Sequence, residues 1–501
     1  EMAITQFLSE LPRKAPPLAV IEEINSRDLP VRGFETFVII GSERQAERNT
    51  LISPDISICG DCLRELRDPA DRRYRFPFIN CTNCGPRFTI IKDVPYDRAK
   101  TSMSSFPMCA ECDAEYHDIE NRRCHAQPDA CPVCGPIAFF ADAEGNTLSK
   151  GEEAFVQARA LLREGKILAV KGLGGMHLAC RCDDPAIVHE LRRRKQRDEK
   201  PFAIMCRTVS AAKTYCEVTP EEEAVLNGKR RPIVLLRKKP SREAELRHLS
   251  ENRDLGVMLP YTPLHYLLFG EEFDALVMTS ANLSDTPILY RNEEAIEKLR
   301  GIADGFLLHD REIQTRCDDS LCMVLGEGEY FLRRSRGYVP HPVRISDQET
   351  LPSVLACGAE QKASFCLTKG GYAFPCQHIG DLKNFETLEH YQDQIQHFKR
   401  LFDIEPQAVA CDLHPDYLSG EYAREISAEK HLPLFPVQHH HAHLASCMAD
   451  NRLDGTVIGL IWDGTGFGTD GTIWGGECLT GGYGGFRIRY RYSRCWAEKR
   501  A

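Results

Sequence analysis

The sequence predicts a multidomain α/β protein that carries a metal-binding finger module. Apolar strand-like runs alternate with amphipathic helices from about residue 150 to 340 and again from 352 onward. Eight of the 22 cysteines fall in four C-x-x-C pairs. The 501 residues exceed the roughly 250 at which a single core stops growing, so several domains are expected. A net charge of −10 and a pI near 6.0 argue against a general nucleic-acid or membrane-surface binder. The chain has no apolar run of about 18 residues and no signal-peptide pattern. With cysteines at metal-ligand spacing, this reads as a cytoplasmic protein in a reducing compartment.

Residues 2 to 42 read as a helix (MAITQFLSEL), a strand (LAVIEEINSR) and a second strand (FETFVIIGSE), with a turn at Pro16 and Pro17. This piece, residues 1–45, is too small to bury a core of its own. It resembles the second half of an acylphosphatase-type domain. The resemblance implies that the phosphate-cradling arginine loop belongs to the other half, so no acylphosphatase activity is expected here. Glu1 stands in place of an initiator Met, which predicts a fragment.

Residues 55–137 contain a repeat with a shift of fifty positions. Cys59, Cys62, Cys81 and Cys84 match Cys109, Cys112, Cys131 and Cys134, each set spaced C-x2-C-x18-C-x2-C. Asp68, the pair Arg72 and Arg73, and the Cys-Gly-Pro ends repeat too. Four thiolates at this spacing can surround a tetrahedral Zn²⁺ and leave no open position, so two structural zinc ions are expected. The segment is poor in apolar residues, and metal binding should supply much of its folding free energy. Pairing within each repeat is the simpler arrangement, and a cross-brace between first and last pairs is also allowed. Cys124 stands where the first repeat has Tyr74, so it is not a ligand on the repeat argument, while His125 remains an alternative one.

A linker, ADAEGNTLSKGEE, and a helix (AFVQARALLREG) lead into ILAVKGLGGMHLAC. The apolar run ending in Lys171 and the glycine pair Gly174 and Gly175 reads as a buried strand delivering N–H groups and a cation to an anion. The helix after Pro185 carries Arg192, Arg193, Arg194, Lys195 and Arg197 between two strands, and one pocket could gather that charge. Strand and helix signals then alternate through PFAIM, RPIVLLRK, LGVMLPYTPLHYLLF, DALVMTSANLS, EEAIEKLRG, DGFLLHDREI, SLCMVLG and YFLRRSRG. Residues 150–340 thus read as one twisted sheet with helices, whose polar positions fall at strand ends. His177, on a short apolar strand, is a core histidine or a base. Asp318 and Asp319 hold Mg²⁺ or pair with Arg316.

KGLGGMHLAC, Lys195-x-Arg197 before KPFAIM, LPYTPLH, Ser280 and Asn282 in TSANLS, and RCDDSL before LRRSRGYVP together resemble the YrdC family. That resemblance implies transfer of AMP from ATP to a small acid with release of pyrophosphate, with Lys195, Arg197, Ser280 and Asn282 as the catalytic set. Lys171, Arg334 and Arg336 join them as nucleotide contacts. Cations suit the triphosphate and the charge developing at the α-phosphorus, and Ser and Asn supply fixed neutral donors and acceptors.

After a Pro-containing linker at 341–352, SVLACGAEQKASFCLTKGGYAFP reads as strands around Gly358-Ala359-Glu360. This resembles the first phosphate loop of actin/hexokinase-like ATPases. In PVQHHHAHLASCMAD, His439 and His443 stand four apart and share one face of a helix, so they can share a metal. VIGLIWDGTGFG follows, a strand ending in Asp463 that suits Zn²⁺, Fe²⁺ or Mg²⁺ beside two imidazoles. The His-x-x-x-His pattern resembles the TsaD family, in which such histidines and a later aspartate hold a metal touching ATP phosphates. Residues 352–486 are read as part of such a domain. RIRYRYSRCWAEKRA, 487–501, turns abruptly basic and aromatic with no core pattern, so the chain is expected to break off near Phe486 with the second lobe missing.

The order acylphosphatase remnant, doubled fingers, YrdC-like domain and TsaD-like domain is similar to the HypF family of [NiFe]-hydrogenase maturation carbamoyltransferases. That resemblance implies two structural Zn²⁺, ATP with Mg²⁺, a further divalent metal, carbamoyl phosphate as substrate, and the C-terminal cysteine of HypE as carbamoyl acceptor. No membrane or nucleic-acid partner is expected. Two other classes stay open: a tRNA threonylcarbamoylation enzyme, which has no place for the fingers, and a zinc-dependent interaction module without chemistry.

Overall fold

The computed structural model describes residues 2–19, 21, 24–27, 30 and 33, and then 51–492 except 198–199, 283–285, 327 and 349. The first helix forms over Met2–Lys14. The strand expected over 18–27 is turn and irregular chain at its described positions, where no described strand lies alongside to complete a ladder. The strand expected over FETFVIIGSE lies outside the described residues.

Among the described residues the central sheet has eleven strands: β1 (Ala138–Asp142), β2 (Thr147–Lys150), β3 (Leu168–Lys171), β4 (Met176–Arg181), β5 (Ile204–Cys206), β6 (Ile233–Arg237), β7 (Asp254–Met258), β8 (Ala275–Ser280), β9 (Gly305–His309), β10 (Leu321–Leu325) and β11 (Gly328–Arg333). Their order is β11-β10-β6-β7-β5-β8-β4-β3-β9-β1-β2, with parallel and antiparallel neighbours mixed. The strand runs legible in the sequence are these strands. The stretch read as the linker ADAEGNTLSKGEE instead closes a hairpin, because Ala138, Phe140 and Ala141 are buried against β9 and carry β1 onto the sheet.

One face of this sheet packs the helix Pro185–Lys195 through Ile187, Val188 and Leu191. The other packs the helix Glu152–Arg163 through Phe155, Leu161 and Leu162, and takes Ile56, Phe78 and Ile79 from the finger region into the same core. The C-terminal part adds β12 (Val343–Arg344), β13 (Val354–Ala356), β14 (Cys366–Lys369), β15 (Tyr372–Pro375), β16 (Ala408–Asp412) and β17 (Leu434–Val437) in the order β12-β15-β14-β13-β16-β17. The helix Phe385–Phe402 buries Tyr391, Ile395, Phe398 and Leu401 against it. Phe88, Ile91 and Val94 of the finger region join that core, with the Phe88 ring 5.7 Å from Phe398. The fingers therefore contribute side chains to one of the two cores of the central sheet and to the core of the C-terminal part.

A third sheet, β18 (Val457–Phe467), β19 (Ile473–Gly482) and β20 (Gly485–Tyr492), is antiparallel throughout. β20 runs through the composition change at Phe486, so 487–492 are a paired strand. Residues 487–491 are exposed, which accounts for the missing core pattern there. Among the described residues no helix is long and apolar enough to cross a membrane.

Candidate functional site

In the finger module each C-x-x-C turn presents two sulfurs to one centre. Cys59 caps the helix Gly60–Arg67 and its sulfur receives the N–H of Cys62. In the first repeat Cys59 and Cys81 lie 3.7 Å apart, Cys81 and Cys84 3.8 Å, and Cys62 and Cys84 3.6 Å. The second repeat gives 3.8 Å for Cys109 and Cys131, 3.8 Å for Cys131 and Cys134, and 3.6 Å for Cys112 and Cys134. A tetrahedron of sulfurs at the usual zinc–sulfur distance of about 2.3 Å has edges of about 3.8 Å, so both sets suit Zn²⁺. Knuckles pair within each repeat. Neither Cys124 nor His125 joins a set; His125 packs on the ring of Tyr116.

The two repeats also complete each other. Arg72 donates to Cys112 Sγ at 3.1 Å and Arg122 to Cys62 Sγ at 3.1 Å, each fifty residues from its counterpart. Arg72 and Arg73 hold Glu115, while Arg122 and Arg123 hold Glu65. Each cluster of thiolates thus has part of its negative charge offset from the other repeat.

At the end of β8, Lys195 Nζ donates to Ser280 O and, at 3.1 Å, to Asn282 Oδ1. Ser280 Oγ donates to the same Asn282 oxygen at 2.9 Å. Arg197 reaches the neighbouring Thr279 Oγ1 at 3.3 Å. The K-x-R and S-x-N residues, over eighty positions apart in the chain, form one group. Lys195 is 6% exposed, and burial, aided by Arg197, pulls its pKa down to about 7. Burial and Arg192 bring Arg197 to about 10.

The rest of the basic run goes elsewhere, contrary to the expectation of one shared pocket. Arg193 and Arg194 pair with Glu190, Arg194 also with Asp304, and Arg192 caps His248 O and Leu249 O over the Phe202 ring. Helical spacing distributes successive residues around the axis, so adjacent cations cannot share one direction. Lys171 Nζ donates to His309 O at 3.1 Å and lines a small cavity of about 20 Å³ with Tyr261, His309 and Arg311, against the finger region. Burial and then Arg311 lower its pKa to about 8. Arg334 caps Tyr338 O and His341 O. Arg336, 1% exposed, is spent on Asp319, Arg230 O and Arg231 O above the Tyr261 ring. Asp319 therefore pairs with Arg336 and with His177, and not with Arg316, which stacks on Tyr290.

In the C-terminal part, Gly358 turns the chain between β13 and β14 at φ +69°, where a Cβ would stand 2.5 Å from Ser364 O. Gln438 caps the helix His439–Asp450, which puts His439 and His443 on one side. His439 Nε2 lies 3.0 Å from Asp463 Oδ2 and 3.2 Å from His443 Nε2. Two nitrogens and a carboxylate oxygen converge, a donor set that suits a borderline divalent ion. Asp412, at the end of β16, takes His439 Nδ1 at 2.6 Å, which orients Nε2 toward the centre and raises the histidine pKa. Sequence reading missed Asp412; its position at the end of the strand AVACD, the place where α/β sheets carry ligands, was the available signal. Asp412→Asn is expected to weaken Zn²⁺ or Mn²⁺ binding here about 10- to 100-fold while leaving both four-cysteine sites filled, checked by metal titration of the zinc-loaded protein.

These features define a class: paired four-cysteine fingers joined to a YrdC-like nucleotide domain and a Kae1-like domain. Family profiles match in that order: the HypF finger at 58–91 and 108–140, the Sua5/YciO/YrdC family (telomere recombination) at 160–335, the HypF Kae1-like domain at 349–450, and the carbamoyltransferase Kae1-like domain, second subdomain, at 459–495. The chain belongs to the HypF family. Carbamoyltransferase HypF2 of Cupriavidus necator is 45% identical, over 95% of this chain and 61% of that protein. Carbamoyltransferase HypF of Rhodobacter capsulatus is 44% identical, over 96% of this chain and 64% of its own length. A full-length HypF crystal structure in the phosphate- and nucleotide-bound form has a TM-score of 0.90 at 48% identity, covering 97% of this chain and 63% of that one. The chain spans a little over three fifths of the relatives it matches.

Proposed function

We propose that this chain carries the nucleotide-dependent part of a carbamoyltransferase. A carbamate oxygen attacks the α-phosphorus of Mg²⁺-bound ATP, the bond to the β-phosphate oxygen breaks, and carbamoyl-adenylate and pyrophosphate result. Lys195 and Arg197 offset the charge that builds on the phosphoryl oxygens, and Ser280 with Asn282 fixes the position of the ammonium. The thiolate of a cysteine at the C-terminus of HypE then attacks the carbamoyl carbon, the bond to the AMP phosphate oxygen breaks and AMP leaves, which delivers the carbamoyl group toward the cyanide ligands of [NiFe]-hydrogenase. His439, His443 and Asp463 would hold a divalent ion that, when bound, neutralises nucleotide phosphates in the Kae1-like domain. Carbamoyl phosphate is the source of the carbamate in this reading.

The observation that carries this reading is the cluster of Lys195, Ser280 and Asn282, with Arg197 one residue beyond at Thr279. The family membership and the naming of its relatives as carbamoyltransferases support it. The test is ATP–pyrophosphate exchange by the purified chain with ammonium carbamate supplied directly. Carbamate-dependent exchange is expected, and none at any carbamate concentration would refute the reading.

A further inference from the structure

His177 lies on β4 directly opposite Ser280 of β8, so both side chains stand on the same face at the edge where Lys195 arrives. Its Nε2 is 2.9 Å from Asp319 Oδ2, and Asp319 Oδ1 receives Arg336 Nε at 2.6 Å. Burial opposes the charge on Asp319, but Arg336 and His177 outweigh it and hold the carboxyl well below the usual carboxylate range. An ionised Asp319 needs a hydrogen on the nitrogen facing it, so Nε2 carries one. The single negative charge of Asp319 is already matched by the Arg336 guanidinium; a neutral His177 leaves the buried trio uncharged, and an imidazolium would leave a buried positive charge without a partner. Neutral His177 with hydrogen on Nε2 has a bare lone pair on Nδ1. That atom is buried and has no hydrogen-bond partner among the described residues, while the residue is 5% exposed.

A buried acceptor left unmade is costly, and most such atoms in folded proteins have a partner. Gly172 lies against this atom: a Cβ there would stand 3.2 Å from Nδ1 and 3.1 Å from Gly175 O, so any larger residue would crowd it. Gly172 belongs to the loop that follows Lys171 and leads into β4.

We propose that His177 is the acyl-recognition residue of the adenylation site, its Nδ1 accepting a hydrogen from the atom attached to the carboxyl carbon of a small acid. The inference rests on the adenylation reading and deepens it. An amino acid-like side chain is not needed; the acid is of the carbamate class, an amino group bonded directly to a carboxylate, in which nitrogen donates to His177 and the oxygens face the cations. Acetate, of similar size, offers a methyl group there and leaves Nδ1 unpaired. Asp319 and Arg336 are positioning residues that fix which ring nitrogen is bare.

The experiment measures ATP–pyrophosphate exchange by the whole 501-residue chain with ammonium carbamate, sodium bicarbonate or sodium acetate. The unmodified chain is expected to have a KM for carbamate at least about tenfold below that for acetate, the worth of one buried hydrogen bond. Bicarbonate, which offers an O–H, should fall on the carbamate side of acetate. His177→Phe should raise the carbamate KM about tenfold and leave the KM for ATP and for acetate in place, so that the preference collapses. His177→Gln, which can present an amide oxygen, should keep part of it. Asp319→Asn gives Nε2 a donor in place of an acceptor, moves the hydrogen to Nδ1, and should collapse the preference in the same way, so the inference is decided even where the Phe variant does not fold. An unchanged carbamate-to-acetate ratio in His177→Phe or Asp319→Asn overturns it, as does a parallel rise in the KM for ATP. Loss of exchange with every acid in the unmodified chain removes the adenylation reading itself, a result distinct from an unchanged ratio.

Discussion

Lys195→Ala is expected to lower carbamate-dependent ATP–pyrophosphate exchange by about 10²- to 10³-fold, the range seen when one preorganised charge-stabilising donor is removed. The reason is geometric. Lys195 Nζ is held by Ser280 O and Asn282 Oδ1, so the ammonium costs little reorganisation when phosphoryl charge develops beside it. Arginine should not rescue it, because a planar guanidinium is larger than the ammonium that a 6% exposed position encloses. The same burial predicts a pH signature. With a pKa near 7, Lys195 of the free protein loses its charge as pH rises through neutrality, and a bound polyphosphate favours the charged form. ATP binding should therefore weaken as pH rises from 7 to 9 and be accompanied by proton uptake. Calorimetry in two buffers of different ionisation enthalpy reads that uptake, which should vanish in Lys195→Ala. Exchange at the normal rate in that variant would take Lys195 out of the site.

Stripping the zinc from both fingers is expected to unfold residues 55–137 and to loosen the two larger domains as well. Structural zinc contributes folding free energy on the order of 10 kcal/mol per site, comparable to the whole stability of a domain. Here the loss does not stay local. Ile56, Phe78 and Ile79 belong to the core beneath the central sheet, and Phe88, Ile91 and Val94 to the core of the C-terminal part. A strong chelator should expose both regions to limited proteolysis, with first cuts in the finger region and later ones on either side. Cys62→Ser should also weaken zinc in the second finger, since a disordered first repeat no longer holds Arg72 and Arg73 against Cys112 and Glu115. Mass spectrometry of the intact protein would show loss of both ions together. Retention of one zinc at full affinity in Cys62→Ser would mean that the repeats are independent.

The amino-acid sequence by itself determined the parts whose signals are local. Ligand spacing marked the eight cysteines as zinc ligands, apolar runs marked many of the strands from 150 onward, and His439 with His443 declared a shared helix face because four residues make about one turn. Of the K-x-R and S-x-N residues, the fold brings Lys195 within hydrogen-bond distance of Ser280 O and Asn282, while Arg197 reaches the adjacent Thr279. The basic run was misjudged because a row of like charges does not say which members point inward, and the hairpin at 138–150 was read as a linker because its short outer strand is largely exposed. Tertiary structure alone decided the pairing of knuckles, the exchange of arginines between repeats, the support of His439 by Asp412 and the bond of His177 to Asp319. Each joins residues at least 22 positions apart, and the partner of a polar group at that separation is chosen by which surfaces pack, a property of the whole folded chain and not of any window along it.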